Sequence, residues 1–130
     1  MTQKEIEVIL ARQLAEYLDL PIFIVDPNGD LLYYNEPAEL ILGSRYIETG
    51  PMAANELADI FKTVDQDGQP LKSEHLPLVK ALTRQQPAHG SFWIEGLDGA
   101  LRKIAVTAFP IIGQANRFLG AIAIFWEVPR

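Results

Sequence analysis

The chain has 130 residues, 48% hydrophobic and 22% charged, which is typical of one globular domain. With 17 acidic and 11 basic residues its formal charge is −6. We therefore expect no nucleic-acid or membrane partner, because both require a basic surface. The absence of cysteine excludes disulfides, thiolate metal sites, cysteine nucleophiles and a covalent flavin–cysteine adduct. No signal-peptide pattern or membrane-length apolar run is present, which predicts a cytoplasmic domain.

Residues 1–19 are predicted to form an amphipathic helix. Thr2 and Glu5 fit a capping box, and Pro21 ends the helix because a residue before proline avoids helical angles. Such a helix is marginal alone in water, so its stability must come from packing. We therefore predict a homodimer in which residues 3–18 pack across the subunit boundary. The apolar residues of this predicted interface are Ile6, Ile9, Leu10, Leu14, Tyr17 and Leu18.

A tight β-hairpin is predicted next, with strands near residues 22–26 and 31–35. Between them Pro27 presets the backbone for a turn, and Gly29 can take the left-handed conformation. The Asp26 carboxylate can accept hydrogen bonds from the backbone amides of the turn. The second strand runs directly into a helix.

Several helices are predicted in the middle of the chain. Asn35 is a favourable N-cap for a short helix that Gly43 ends. Another helix of one or two turns is expected behind Asn55, and a longer one spans residues 77–85. The segment 63–70, rich in aspartate and glycine, is predicted to be a polar turn.

The last part of the chain changes to a strand pattern. Residues 89–95, 101–110 and 117–128 are rich in β-branched and aromatic side chains. Glycine-containing turn sequences separate them, which predicts an antiparallel meander. The apolar content of residues 117–128 is typical of a strand with neighbours on both sides.

Two of these strands carry adjacent aromatic residues, Phe92-Trp93 and Phe125-Trp126. Successive side chains on a strand point to opposite faces. One aromatic of each pair must therefore face the helices while the other faces outward. An outward aromatic needs a cover, which the first helix or a second subunit would provide.

The order of these elements and several short motifs resemble the PAS domain family, the sensory modules of signalling proteins. The motifs are the hairpin Ile22 to Tyr34, Asn35 with Ala38, the turn Asp67 to Leu71, Leu76 to Leu78, Ala81-Leu82, Trp93-Ile94, Asp98-Gly99 and Phe118 to Ala121. The resemblance implies an α+β fold over residues 20–130. Its five-stranded antiparallel sheet would have the order 2-1-5-4-3, with short helices on one face.

The resemblance also implies a function without catalysis. Such a module binds a small organic ligand or a partner protein and relays the signal through dimerisation, as the sensor part of a histidine kinase, cyclase or transcription regulator. The ligand-pocket residues predicted from this are Ile24, Ile60, Val79, Ile104 and Ile122. An error of one residue in the assumed register would move all the pocket side chains of a strand to the other face of the sheet. The ending Glu127-Val128-Pro129-Arg130 departs from the family's acidic–aliphatic–threonine ending, and no effector sequence follows it.

Other chemistries are weaker alternatives. In haem-binding PAS domains a histidine near the long helix ligates iron, but His75 beside Glu74 is typical of a solvated helix start. The segments beginning at Asp26 and Asp65 lack the glycine and glutamate positions of a calcium loop, which favours turns. An NTF2-like enzyme or binding protein is similar in length and carries a base in an apolar pocket. Such chains begin with longer helices, which the hairpin at 22–35 argues against.

Overall fold

A computed structural model of the chain contains one antiparallel sheet with helices on both faces. It describes residues 6–46, 50–54, 56 and 61–128. The helices are α1 (Ile6–Tyr17), α2 (Glu36–Leu42) and α3 (Pro77–Arg84). The strands are β1 (Ile22–Val25), β2 (Leu31–Tyr34), β3 (Lys62–Val64), β4 (Ala88–Glu95), β5 (Leu101–Ile112) and β6 (Phe118–Glu127). The predicted capping box at Thr2 and most of the predicted helix behind Asn55 lie outside the described residues.

The sheet has six strands in the order β2-β1-β6-β5-β4-β3. The predicted central position of the last strand is confirmed, since β6 pairs with both β1 and β5. Without β3 the order is the 2-1-5-4-3 that the resemblance implied. The additional strand β3 pairs with β4 and overlaps the first two residues of the segment 63–70, which was predicted to be a polar turn. Three residues are too few to show alternation, so the pairing with β4 and the bridge from Val64 to Pro70 define this strand, whereas the sequence pattern does not.

Both aspartate-initiated segments are turns, as predicted. Oδ1 of Asp26 accepts hydrogen bonds from the backbone amides of Asn28 at 2.9 Å and Asp30 at 3.0 Å. Oδ1 of Asp65 accepts the same pair of bonds from Asp67 and Gln69. These carboxylate oxygens fix the backbone of the turns.

Side-chain alternation divides the buried residues into two clusters, one on each face of the sheet. The inner cluster, under α2 and α3, contains Phe23, Val25, Leu31, Tyr34, Ala38, Ile41, Leu42, Met52, Phe61, Ala81, Ile94, Ile104, Val106, Ala108, Ala121, Ala123 and Phe125. The outer cluster, under α1, contains Ala15, Ile22, Ile24, Ile111 and Leu119, with Val8, Ala11, Leu18, Leu32, Tyr33, Ile122 and Ile124 packed against it. Both faces of the central strand are therefore covered.

The predicted opposition of the adjacent aromatic residues is confirmed. Phe92 and Phe125 belong to the inner side. Trp93 is paired with Lys103, and Trp126 is paired with Ala105, on the opposite face of the sheet. Trp126 remains 45% exposed, because α1 covers the other half of that face.

Gly120 lies where β6 crosses closest to the end of β1. The register passes from the pair Ile111–Gly120 to Ile112–Phe118 and so skips Leu119, which forms a bulge. The bulge turns Leu119 into the outer cluster. Gly120 has φ +135°, and a Cβ there would overlap the carbonyl oxygen of Val25.

We expect Gly120→Ala to lower the free energy of unfolding by about 3 kcal/mol or more, since it combines backbone strain with overlap against β1. Denaturant unfolding followed by circular dichroism measures this change. Gly68→Ala is the matched control, because Gly68 also has a positive φ, +79°, but has open space around it. Its cost should be about 1–2 kcal/mol. Equal decreases in the free energy of unfolding of the two variants would contradict the close approach of Gly120 to β1.

Candidate functional site

The helix α1 packs on the outer face of the sheet through one of its two apolar faces. Val8, Ala11, Ala15 and Leu18 recur at helical spacing and contact the outer cluster. The two alanines are small, so the helix backbone can approach the strands closely. This packed face lies one residue away from the predicted stripe, which followed the larger side chains instead.

The second apolar face of α1 points to solvent. Leu10 is 55% exposed, Leu14 60% and Tyr17 86%. Ile6 and Ile9 are exposed beside them, whereas Leu18, the sixth residue of the predicted interface, packs against the outer cluster. We call Ile6, Ile9, Leu10, Leu14 and Tyr17 the exposed stripe. Large contiguous apolar patches are typical of interaction sites on soluble proteins.

The buried side chain of Asn35 holds the end of α1 against the sheet. Its Nδ2 donates to the carbonyl oxygens of Ala15 at 2.9 Å and Leu20 at 2.8 Å. Its Oδ1 accepts from the backbone amides of Ile22 at 2.9 Å and Ala38 at 3.2 Å. The predicted N-cap of α2 is thus confirmed, and the same amide also binds α1. The sequence gives no signal for this second role, because it depends on where α1 packs.

Arg12 makes a second polar attachment of α1 to the sheet. Its guanidinium carbon lies 4.4 Å from the centre of the Tyr33 ring and 5.8 Å from that of Tyr46. These are cation–π distances. Arg12 follows Val8 by four residues, which places it on the packed face of the helix. That spacing could have indicated the contact.

The surroundings of the two tyrosines favour their protonated forms and so raise the pKa of both. Burial raises the pKa of Tyr33 above its ordinary value, Glu16 raises it further, and Arg12 lowers it. Burial also raises the pKa of Tyr46, and Arg12 again lowers it. The ring of Tyr46 packs edge-on against Tyr33, with 5.1 Å between centroids. Its hydroxyl donates to the carbonyl oxygen of Leu32.

Grooves lie on both halves of the outer face, and a further one lies where the end of α1 meets α2. One, of about 310 Å³, lies between α1 and the first two strands, lined by Ile9, Arg12, Ile24 and Leu32 among others. Another, of about 680 Å³, lies on the half of the outer face that α1 leaves bare, where Trp93 and Lys103 line it. Leu101 of the same groove and Trp126 are exposed. We call this area the bare half-face.

The structure does not bring the five predicted pocket residues together. Ile24 and Ile122 are partners across β1 and β6 and belong to the outer side. Ile104 belongs to the inner cluster. Val79 is half-buried on α3, one residue away from Leu78, which packs on the inner cluster. Ile60 lies outside the described residues. The set mixes two faces because alternation alone does not say which face meets the helices.

The metal-binding alternatives have no geometric support. His75 Nε2 lies 3.9 Å from Glu74 Oε1, and both side chains are exposed. Nδ1 of His89 lies 3.0 Å from the hydroxyl of Thr107. Within residues 6–46, 50–54, 56 and 61–128, no group of three or more His, Cys, Asp or Glu side chains is arranged to hold a metal ion.

Across the same described ranges, no helix has the length and apolar character needed to cross a membrane.

Comparisons with known proteins agree on the fold. No protein-family model and no curated protein sequence matches the chain. The PAS domain of a protein from Colwellia psychrerythraea is 18% identical, with a TM-score of 0.66 over 93% of this chain and 96% of that one. The PAS domain of nitrogen regulation protein NR(II) from Vibrio parahaemolyticus is 17% identical, with a TM-score of 0.62 over 92% and 98%. The LOV protein of Rhodobacter sphaeroides is 12% identical, with a TM-score of 0.71 over 97% and 70%.

These similarities confirm the PAS-like α+β fold that the sequence motifs predicted, in place of the NTF2-like alternative. At such identities the likeness extends to the fold alone.

We expect Arg12→Gln to raise the pKa of Tyr33 and Tyr46 further, because the guanidinium lowers both. NMR titration of the tyrosine Cζ carbons measures the shift. Arg84→Gln, on exposed α3 surface, is the control and should leave both tyrosines unchanged. An unchanged or lower tyrosine pKa in Arg12→Gln would contradict the cation–π contact.

Because these folded-state values lie above the ordinary 10.0, the contribution of both tyrosines to stability is complete below pH 10. It is lost as the pH rises above that value.

Proposed function

We propose that this PAS-fold chain is a cytoplasmic, non-enzymatic sensory module that relays a signal through homodimerisation. The observation that carries the proposal is the exposed stripe of α1. The similarity in fold to the PAS domain of nitrogen regulation protein NR(II) supports a place in signal transduction. In this proposal the module controls an effector domain or partner protein, as in a histidine kinase, cyclase or transcription regulator.

The exposed stripe is better suited to packing against a second copy of the chain than to facing solvent. The packed face anchors α1 on its own sheet, so Leu10, Leu14 and Tyr17 are presented on a fixed scaffold rather than on a free helix. Burying one leucine side chain contributes about 1.5–3 kcal/mol. A two-fold interface uses each residue twice, so even a short stripe supports a stable dimer.

The bare half-face offers a matching surface on the partner. Trp93 and Trp126 lie on it with exposed Leu101 nearby. In the proposed dimer the stripe of each copy packs over the bare half-face of the other. This arrangement gives the outward aromatic residues the cover that the sequence pattern required.

We further propose that the module senses a small organic ligand held on the inner side of the sheet. Leu78, Leu82 and Phe92 support this, because they pack against the inner cluster while remaining only partly buried. Ligand occupancy would shift the population of two packings of the inner helices. The terminal elements would then carry the change to the dimer interface.

We expect Leu10→Glu to raise the dissociation constant of the dimer by roughly a hundredfold or more. Each dimer loses two buried leucines and gains two buried charges. Sedimentation velocity across a concentration series measures the change, with circular dichroism to verify folding. Leu97→Glu is the matched control, since Leu97 is also exposed but lies on the turn between β4 and β5. A monomeric parent chain, or equal dissociation constants for both variants, would rule out the proposed dimer.

A shortened chain beginning at Asp19 should also be monomeric. Its loss of α1 also uncovers Ile22, Ile24 and Leu119 of the outer cluster, with a cost on the order of 5 kcal/mol. That is a large part of an ordinary domain's stability. The point variants on the exposed stripe therefore test dimerisation more directly than the deletion.

For the ligand, native mass spectrometry of the purified chain should show a bound species of small organic mass. Ile104→Trp should remove it by filling the inner side, where Ile104 is buried. Thr83→Trp, on the exposed surface of α3, should retain it. A parent chain with only its own mass, in extracts from several growth conditions, would rule out the ligand.

A further inference from the structure

We propose that the side chain of Asn35 couples the docking of α1 to the position of α2, so that repacking of the inner helices controls how firmly the exposed stripe is held. The regulatory part rests on the dimerisation proposed above. The coupling itself rests on the four hydrogen bonds of one buried amide group.

The amide nitrogen of Asn35 caps the end of α1. Ala15 lies in the last turn of that helix, and the last four carbonyl groups of a helix have no partner within it. Nδ2 of Asn35 donates to the Ala15 oxygen at 2.9 Å and to that of Leu20 at 2.8 Å. Both the helix and the segment that follows it are therefore bound to the same nitrogen.

The amide oxygen of Asn35 caps the beginning of α2 and the start of β1. It accepts from the Ala38 amide at 3.2 Å and from the Ile22 amide at 2.9 Å. The first is an N-cap hydrogen bond. The planar amide is rigid, so a rotation that follows a moving α2 draws its nitrogen away from α1.

Burial makes this coupling strong. Asn35 is 1% exposed, so water does not replace a bond that is broken. A buried carbonyl or amide left without a partner carries a full desolvation penalty. The four bonds are therefore kept or lost together more strictly than they would be at the surface.

The two helices joined by Asn35 belong to different parts of the proposed relay. Ala38, Ile41 and Leu42 of α2 are in the inner cluster. On α1, Leu14 directly precedes Ala15, and Tyr17 ends the helix two residues after it. Both belong to the exposed stripe. A change on the inner side thus reaches the dimer surface through one side chain. By linkage, dimerisation acts on α2 to the same extent.

Amide hydrogen exchange of Asn35→Asp tests whether the docking of α1 depends on the Asn35 side chain. Aspartate keeps the oxygen that caps α2 but loses both donors to α1. We expect amides in the last turn of α1 to exchange at least about tenfold faster, since two hydrogen bonds are lost. The amides of α2 should keep most of their protection. Asn28→Asp makes the same change on an exposed turn and should leave α1 unchanged.

Val8→Asp tests, in the full chain, whether undocking α1 affects the start of α2. Val8 packs on the outer cluster near the other end of α1, so a charge there undocks the helix. We expect faster exchange of the Ala38 and Glu39 amides at the start of α2. Leu10→Asp places the same charge on the exposed stripe and should leave those amides protected.

The outcomes separate this coupling from the dimer proposal. The exchange measurements on Asn35→Asp, Asn28→Asp and Val8→Asp are repeated in the Leu10→Glu background, where they do not depend on association. Equal α1 exchange in Asn35→Asp and Asn28→Asp overturns the coupling, whatever the oligomeric state. If the aspartate variant does not fold, neutral Asn35→Ser replaces it, because serine also caps α2 and does not reach α1. A parent chain that never dimerises removes the regulatory role and leaves the local coupling measurable.

Discussion

The structure depends on covering both faces of the central strand β6. Ala121, Ala123 and Phe125 face the inner helices, whereas Ile122 and Ile124 face α1. A strand buried on both faces contributes to two clusters at once, so uncovering one face also weakens the strand that supports the other cluster. This constraint makes α1 part of the folded core rather than an appendage.

Asn35 lies where the chain passes between those two layers. It follows β2 directly and begins α2, and its side chain reaches back to the end of α1. A polar residue at 1% exposure is tolerated only because all of its hydrogen-bonding groups are occupied. A small displacement of the residue that joins the layers therefore breaks buried hydrogen bonds, which is costly.

The helix α1 combines two requirements that normally compete. Its small residues Ala11 and Ala15 pack on the sheet, while large ones such as Leu14 and Tyr17 are exposed. A core helix would bury the large side chains, and a free interface helix would not be fixed to the sheet. The proposed dimer requires this combination, because α1 must be fixed to its own sheet and still present a second apolar face.

Local chemistry in the sequence was sufficient for the hairpin turn, the caps of α2 and five of the six strands in the described sheet. Asp26 and Gly29 in the hairpin, Gly43 at the end of α2 and the N-cap bond of Asn35 all act through groups within a few residues, so these positions alone predict the hairpin and the limits of α2. Alternation likewise predicted that Phe92 and Phe125 oppose the tryptophans beside them. These interactions need no knowledge of distant parts of the chain.

Only the tertiary structure decided which face met which helix. Alternation separates Ile104 from Ile24 and Ile122 only after the sheet order places α1 outside and α2 inside. The strand β3 exists through its pairing with β4, and the stacking of Arg12 on Tyr33 requires the docked position of α1. The same holds for the two faces of α1. Helical periodicity identified its apolar residues, but only the contact with the sheet shows that the alanines, and not the leucines, are packed.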